Sequence, residues 1–576
     1  MAEYDLVIRG GTIVEGTGVP KFKADLAVKD GRVAKISGRI SAGGAREIDA
    51  SGCIVAPGAI DLHTHYDAQV TWDKQMSPSP SLGVTSAVIG NCGFGIVPCP
   101  PPVRDLILRN LSVVEGMDLD SLRTGVDWCF ESFADYMSAL RGIGPYMNVA
   151  VLAGHSVIRT AVMGEDASNR EQATDDELRI MCSMVDEAMA HGAVGFAGSY
   201  SLNHSGYGGV PMPSTISSWT EFDRLIGAMG DGRHGIVQLA SGTRPVEDLA
   251  VLSEKHGRAI FQSTGVAMFN EQEPDRALAV FDACTKVNAE GHLVYVQIPC
   301  QPLSFDFTME NASPYYSHDA FAEIKACTPA ELMAVFRDTA FRDRFRASLN
   351  DPRPGLIFQG NWNRVTVAVP ALEANEALAN QTIESIARSQ GRDPLDVILD
   401  LSLEEDLRTT FIGQFLNVGD DGVSQLLQHE SGVVSLSDAG AHLVFMCDAG
   451  FGLHFLAKWV RERGDFNLAQ GIRRLTSHPA DLYGLIDRGR IAPGAHADLL
   501  LFDPETVGVT ATHRVHDLPG GGPRTIRHPV GVHGVFVNGV EVFDGENYVN
   551  HSHGPGEVLS TFAPSRNNPS STQAVA

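Results

Sequence analysis

Apolar positions along the 576-residue chain follow two patterns. From Tyr4 to Ile54, short alternating runs ("YDLVIRGGTIV", "ADLAVKDGRVAKI", "REIDASGCIV") are divided by turn residues. The Asp30-Gly31 pair between two such runs marks a hairpin. The same pattern returns in "GAHADLLLFD" and "GVHGVFVNGVEVFDG", so residues 1–57 and 485–554 are expected to build one small β-sandwich from both chain ends. Between them, residues 58–484 alternate strand-like and helix-like pieces. Eight apolar runs read as buried strands: 58–65, 84–92, 147–155, 193–201, 235–241, 259–265, 293–299 and 433–440.

Several intervening helices announce their starts. Thr174 with Glu177, Ser218 with Glu221 and Thr328 with Glu331 each match a capping box, in which two side chains satisfy free amides reciprocally. After the first, Leu178, Met181, Met184, Val185 and Met189 recur at helical spacing until His191-Gly192 stops the run. Eight strands with helices between them predict an α/β fold, a (β/α)8 TIM-like barrel whose active site lies at the C-terminal strand ends. The stretch at about 300–432 is too long for one strand–helix unit and reads as an insertion after the seventh strand, with "TPAELMAVFRDTAFRDRFRASL" as its own helical segment. From 555 to 576 the chain is rich in Ser, Pro and Asn and is expected to be a flexible tail.

Composition narrows the function classes. With 43% hydrophobic and 20% charged residues the chain reads as soluble and globular. A formal charge of -26 repels phosphate backbones and anionic lipid, which argues against nucleic-acid and membrane partners. Nine scattered cysteines without a CxxC pair indicate neither a disulfide framework nor a cysteine-rich zinc module, so a cytoplasmic location is expected. No basic segment followed by an apolar stretch opens the chain, and no run approaches a membrane span. A homo-oligomer is left open.

Candidate chemistry sits at the expected strand ends. In "DLHTH", His63 and His65 alternate about Thr64 and so point the same way, as two ligands of one divalent cation would. Asp438 in "VVSLSDAGAH" ends the eighth run. A carboxylate there needs a partner or a metal, and strand eight neighbours strand one in a closed barrel. Cys92 in "VIGNCGFG" ends the second run, where flanking glycines leave its sulfur accessible; as a thiolate it would bind zinc. His155 in "LAGHSVIR" reads equally as ligand, hydrogen-bond donor to a substrate carbonyl, or structural residue. His204 and His442 lie on loops expected at the mouth and are candidate substrate contacts, and Tyr200 is, with His155, a candidate for steadying an oxyanion. His191 and His256 precede glycines at helix ends, where capping explains them, and His478 starts a late helix as a structural residue.

With these residues placed, the chain resembles the amidohydrolase superfamily over nearly its full length, specifically its N-acyl-D-amino-acid deacylase (D-aminoacylase) branch. The resemblance is carried by "DLVIRGGTIVEGTG", "VAPGAIDLHTHYDAQ", "GVTSAVIGNCGFGIVP", "LAGHSVIR" with "AVMGEDA" after it, "GAVGFAGSY", "SLSDAGAH", "LTSHPADLYGLIDRGRIAPGAHADLLLFD" and "VHGVFVNG", in that order. It implies a hydrolase using one or two divalent ions, zinc first among them. Cys92 would be the zinc-binding cysteine, His63 and His65 the strand-one ligand pair, and Asp438 both ligand and general base. Deacylases of the branch carry histidines at the ends of strands five and six. Here Gln238 and Gln262 stand near those places, as candidate metal or substrate contacts.

The implied reaction is hydrolysis of a non-peptide C–N bond in a small-molecule amide, foremost an N-acyl-amino acid. The branch's substrate-binding arginine after the catalytic aspartate is missing, since none follows Asp438 until Arg461. This gives weight to the alternative of a cyclic amide, imide or lactone opened on the same site. A third reading is a metal-free scaffold acting through assembly.

Overall fold

The computed structural model describes residues 2–231, 234–263, 268–324, 327–351, 356–443 and 447–564. The eight barrel strands, numbered one to eight here, form one sheet in chain order: Ala59–Asp61, Val84–Ile89, Asn148–Gly154, Gly195–Ser199, Ile236–Ala240, Ile260–Gln262, Val294–Ile298 and Gly432–Val434. Every neighbouring pair is parallel. Their burial on both faces explains why they read as continuous apolar runs. The core takes a residue from each strand: Ile60, Val88, Leu152, Ala197, Ile236, Phe261, Tyr295 and Val433, packed with Tyr483 and Leu485. The Ile, Val, Leu and Phe side chains among them each contribute about 1.5–3 kcal/mol on burial.

Strands one and eight are shorter than the sequence suggests, and the difference builds the site. Their ladders stop at Asp61 and Val434. Beyond them Leu436, Asp438 and Gly440 take φ of 82°, 50° and 94°, which no strand can accommodate. The barrel closes in this irregular stretch. Thr64 bridges Ala439, the His65 N–H donates to the Ala439 carbonyl at 2.8 Å, and the Asp438 N–H donates to the His63 carbonyl at 3.2 Å.

Both chain ends supply an eight-stranded β domain. Tyr4–Ile13, Phe22–Lys29, Arg32–Ser37, Gly44–Asp49 and Ile54–Pro57 join Leu499–Phe502, Val532–Val537 and Val540–Phe543. The two halves meet where Leu499–Phe502 runs antiparallel to Ile54–Pro57. Asp30 and Gly31 turn the hairpin with φ of 50° and 75°, the left-handed pair a two-residue turn requires.

Where a flexible tail is expected from residue 555, the chain as far as Pro564 is instead bound to the barrel. Glu557 and Leu559 exchange backbone hydrogen bonds with Val149, each at 2.8 Å, and the Ala563 N–H donates to the Gly484 carbonyl at 2.8 Å. The Ser, Pro and Asn content masked an apolar spacing. Phe562 is 9% exposed within the barrel core, with Leu559 packed against it. Residues 565–576 lie outside the described residues.

The insertion forms a second compact unit, residues 268–277 and 301–423. It has an antiparallel sheet of Leu303–Phe307, Thr410–Leu416 and Val365–Val369, and a core in which Tyr315, Phe321, Phe336, Phe341, Phe345 and Phe358 are buried. The helical segment expected here is two helices, Pro329–Arg337 and Thr339–Ser348. They break at Asp338, whose extended backbone frees its carboxylate to accept the Ala340 N–H at 3.0 Å. Among the described residues, no helix is long and apolar enough to cross a membrane.

Candidate metal centre

Thr64 positions the histidine pair. Its N–H and hydroxyl both donate to the Val88 carbonyl of strand two, at 3.2 and 2.8 Å, and its other side bridges Ala439. His63 and His65, one residue to either side, therefore project together, with ring centroids 5.3 Å apart. Cys92 arrives from the loop after strand two, which Asn91 ties back through its Nδ2 to the carbonyls of Thr64 and Val88, at 3.2 and 2.9 Å. Asp438 arrives from the coil after strand eight.

The donor atoms face one another. His63 Nε2 lies 3.5 Å from Cys92 Sγ and 3.3 Å from Asp438 Oδ1, and His65 Nε2 lies 3.5 Å from the same Asp438 oxygen. Both imidazoles turn their other nitrogen away. His63 Nδ1 is held by Gln297 Oε1 at 2.8 Å, and the Gln297 amide donates in turn to the Tyr483 hydroxyl at 2.9 Å. His65 Nδ1 faces Glu115 Oε1 at 3.1 Å.

Electrostatics reinforce the grouping. Burial pushes His63 down to about 4. For His65, burial acts the same way but is outweighed by Glu115, Asp438 and Asp67, which raise it to about 9. Burial lifts Glu115 to about 7 and Asp67 to about 6, against the opposing pull of His65. Burial also drives the Cys92 thiol far up, with Glu115 and Asp438 adding to the effect. For Asp438, burial is overcome by a hydrogen bond from His65 and by the charges of His63, His65 and His442, which leave it below the ordinary carboxylate range.

This donor set fits a divalent ion. Tetrahedral bonds of about 2.0–2.3 Å to N, O and S place ligand atoms about 3.3–3.6 Å apart, which matches three pairs here, His63–Cys92 and His65–Asp438 at 3.5 Å and His63–Asp438 at 3.3 Å. Both Nε2 atoms face inward, and Gln297 holds His63 Nδ1 as an outer partner orients a histidine ligand, while His65 Nδ1 lies beside the Glu115 carboxylate without a hydrogen bond. Among the described residues, His63, His65 and Cys92 are the one group of three or more His, Cys, Asp or Glu side chains close enough to share an ion.

Other candidates separate by the direction of their side chains. Gln238 reaches the rim of the cluster: its Oε1 accepts the Cys92 N–H at 2.6 Å. Gln262 does not. Phe261 faces the barrel core and Ser263 bonds Gln238, so two-residue alternation turns Gln262 to the opposite face, where Ser241 Oγ (3.2 Å) and Cys284 Sγ (3.2 Å) hold it. Tyr200 is likewise turned outward. Its hydroxyl meets Ser217 Oγ at 3.1 Å and the Ser218 carbonyl at 3.2 Å, and its ring packs on Trp219 and Phe222.

His155 is also not brought to the cluster. It is buried among Phe196 and Phe222, with Nε2 2.8 Å from Glu221 Oε1, and Arg159 binds the same carboxylate. This recruitment explains why the second capping box is only half formed. Ser218 accepts the Glu221 N–H, but the Glu221 carboxylate has gone to His155 and Arg159. Glu221→Ala would leave Arg159, fully buried, without its counter-charge, and should cost about 3–5 kcal/mol in denaturant unfolding.

His204 and His442 stand beside the cluster. His204 Nδ1 lies 2.7 Å from Ser199 Oγ, and its ring meets Phe94 edge-on at 5.1 Å. The His442 N–H donates to the Glu115 carbonyl at 2.6 Å. Two site residues escaped the sequence reading, Glu115 and Gln297. Each carried a signal: Glu115 ends the helix Arg104–Val114, where the helix dipole disfavours an anion, and Gln297 interrupts an apolar strand on the same face as Tyr295.

A parallel eight-stranded barrel with imidazole, thiol and carboxylate donors at its C-terminal strand ends is the architecture of a barrel hydrolase. The chain belongs to the amidohydrolase family, whose sequence profile matches residues 46–217 and 333–543. It is similar to an uncharacterised protein of Mycobacterium bovis, 31% identical over 87% of this chain and 85% of that one. It is also similar to the D-aminoacylase of Alcaligenes xylosoxydans xylosoxydans, 26% identical over 97% of this chain and 98% of the relative. Among solved structures, N-acyl-D-glutamate deacylase from Bordetella bronchiseptica, complexed with zinc and a phosphonate mimic of the tetrahedral intermediate, superposes with a TM-score of 0.65. That protein is 25% identical, over 97% of this chain and all of the other.

Proposed function

We propose that the chain is a divalent-metal-dependent hydrolase of a small amide, foremost an N-acyl-amino acid, with Asp438 as general base. The observation that carries this reading is the position of Asp438 Oδ1, within 3.3 and 3.5 Å of two imidazole nitrogens that both face it. The D-aminoacylase relative and the zinc-bound deacylase structure support the choice of bond. His63, His65, Cys92 and Asp438 would hold the ion, which when bound lowers the pKa of water toward neutrality and polarises a carbonyl.

The chain's own groups then divide the work. Asp438 takes the proton of the attacking water and returns it to the leaving nitrogen. His204, which burial pushes down to about 4, is neutral at pH 7. Ser199 Oγ accepts the Ser201 N–H at 3.1 Å, so its own proton is free to go to His204 Nδ1 at 2.7 Å. That tautomer leaves the Nε2–H of His204 as a donor to a substrate oxygen in which negative charge develops. All nine cysteines are unpaired, as a reducing cytoplasm would keep them.

The test is a panel of N-acyl-D- and N-acyl-L-amino acids, hydantoins and lactones, assayed before and after chelation and after return of zinc, manganese or cobalt. Amide hydrolysis should vanish on chelation and return with metal. Turnover confined to hydantoins or lactones would move the reaction to ring opening, and full activity in rigorously stripped protein would refute metal dependence.

A further inference from the structure

Gln238 is fully buried in barrel strand five, on the face it shares with Ile236 of the core. Its side-chain amide is used at both ends. Oε1 accepts the Cys92 backbone N–H at 2.6 Å, and Nε2 donates to Ser263 Oγ at 2.8 Å. The residue it grips is in an unusual state: Cys92 has φ 55° and ψ 3°, a left-handed conformation that a non-glycine residue keeps only when its surroundings impose it.

Those surroundings press closely on both sides of Cys92. A Cβ on Gly90, at φ 84°, would meet the Leu152 carbonyl oxygen at 2.5 Å, and one on Gly93, at φ 80°, would meet the Ala197 carbonyl oxygen at 2.9 Å. The backbone turn therefore fixes where the Cys92 sulfur points, 3.5 Å from His63 Nε2, and the Gln238 carbonyl secures that turn from inside the barrel.

We propose that Gln238 is the residue that positions Cys92 as a metal ligand, is not a ligand itself, and leaves the chain with a single ion. The inference rests on the metal-dependent reading above. A glutamine offers a metal only its carbonyl oxygen, and here that oxygen is committed to the Cys92 N–H. Ser263, the neighbouring polar side chain on this rim, is bound to the other end of the same amide. Among the described residues, one set close enough to share an ion remains, His63, His65 and Cys92, with Asp438 Oδ1 3.3 and 3.5 Å from the two imidazoles.

Cobalt(II) reads both halves of the proposal in the full-length chain, because a coordinated thiolate gives a charge-transfer absorption in the near ultraviolet that imidazole and carboxylate do not. Stripped wild-type protein titrated with cobalt should reach its endpoint at one equivalent and show that band. Gln238→Leu should weaken cobalt binding about 10–100-fold and lose most of the band, while the visible bands of the remaining ligands persist at saturating metal. Ser263→Ala, which frees the far end of the amide and removes a hydroxyl that also acts on the Cys92 thiol, should give a smaller change of the same kind.

Wild-type band and affinity in Gln238→Leu would overturn the positioning role, and a tight second equivalent in wild type would overturn the single ion. If Gln238→Leu fails to give the native circular-dichroism spectrum, Ser263→Ala decides, and an unchanged band and affinity there would overturn the proposal. A wild-type chain that takes up no cobalt would sink the metal-dependent reading itself, a result distinct from either of these.

Discussion

Asp438→Asn should fold as the native chain does and lose turnover by about 10²–10⁴-fold, the contribution of a positioned general base. Asparagine is the informative replacement for a backbone reason as much as a chemical one. Asp438 sits at φ 50° between Leu436 at 82° and Gly440 at 94°, and asparagine tolerates the left-handed region nearly as well as aspartate does. Alanine there would strain the coil that carries the Asp438 N–H to the His63 carbonyl, and so would mix a folding defect with a catalytic one. Asparagine keeps an oxygen able to face His63 and His65 but cannot accept the water's proton. The loss should therefore appear in kcat, with the circular-dichroism spectrum and melting curve close to native. Near-native kcat in this variant would remove Asp438 from the role of base.

The candidate metal centre was legible because chemistry and pattern coincide there. His63, His65, Cys92 and Asp438 each end an apolar run, and barrel closure alone brings strands one, two and eight together. The three strand glutamines mark where such reading stops. Gln238, Gln262 and Gln297 occupy the similar contexts "IVQLA", "IFQ" and "VYVQI", yet Gln238 turns to the Cys92 loop, Gln297 to His63, and Gln262 away to Cys284.

What separates them is parity relative to an inward residue: Ile236, Phe261 and Tyr295 face the core, so 238, 263 and 297 do as well. Parity needs an anchor that composition does not supply. Glu115 was harder still, because "VVEGM" reads as an ordinary helix end, and only the fold reveals that this end is 3.1 Å from His65. The tail erred the other way. Polar residues between Val558, Leu559 and Phe562 diluted an apolar spacing that the barrel uses.

Removing either histidine should empty the metal site, but the two losses should differ in a way the surrounding charges dictate. Four-ligand zinc sites bind with about 10–16 kcal/mol, so one ligand is worth roughly 2.5–4 kcal/mol, or about 10²–10³-fold in affinity. His63→Ala and His65→Ala should both fall by that much when metal content is titrated.

Stability of the chelated protein should distinguish them. His63 lies 3.3 Å from Asp438, but burial holds it down to about 4 and so uncharged at pH 7; its other near neighbours are a neutral amide and a thiol, Gln297 at 2.8 Å and Cys92 at 3.5 Å, so its loss removes little beyond packing. His65 lies between Glu115 at 3.1 Å and Asp438 at 3.5 Å, and its charge also acts on Asp67. Without it, Glu115, only 3% exposed, loses the positive charge that offsets its burial. Breaking such a buried pair costs about 3–5 kcal/mol, so chelated His65→Ala should unfold at markedly lower denaturant than chelated His63→Ala. Equal midpoints for the two would mean that Glu115 does not depend on His65, and would detach that carboxylate from the metal centre.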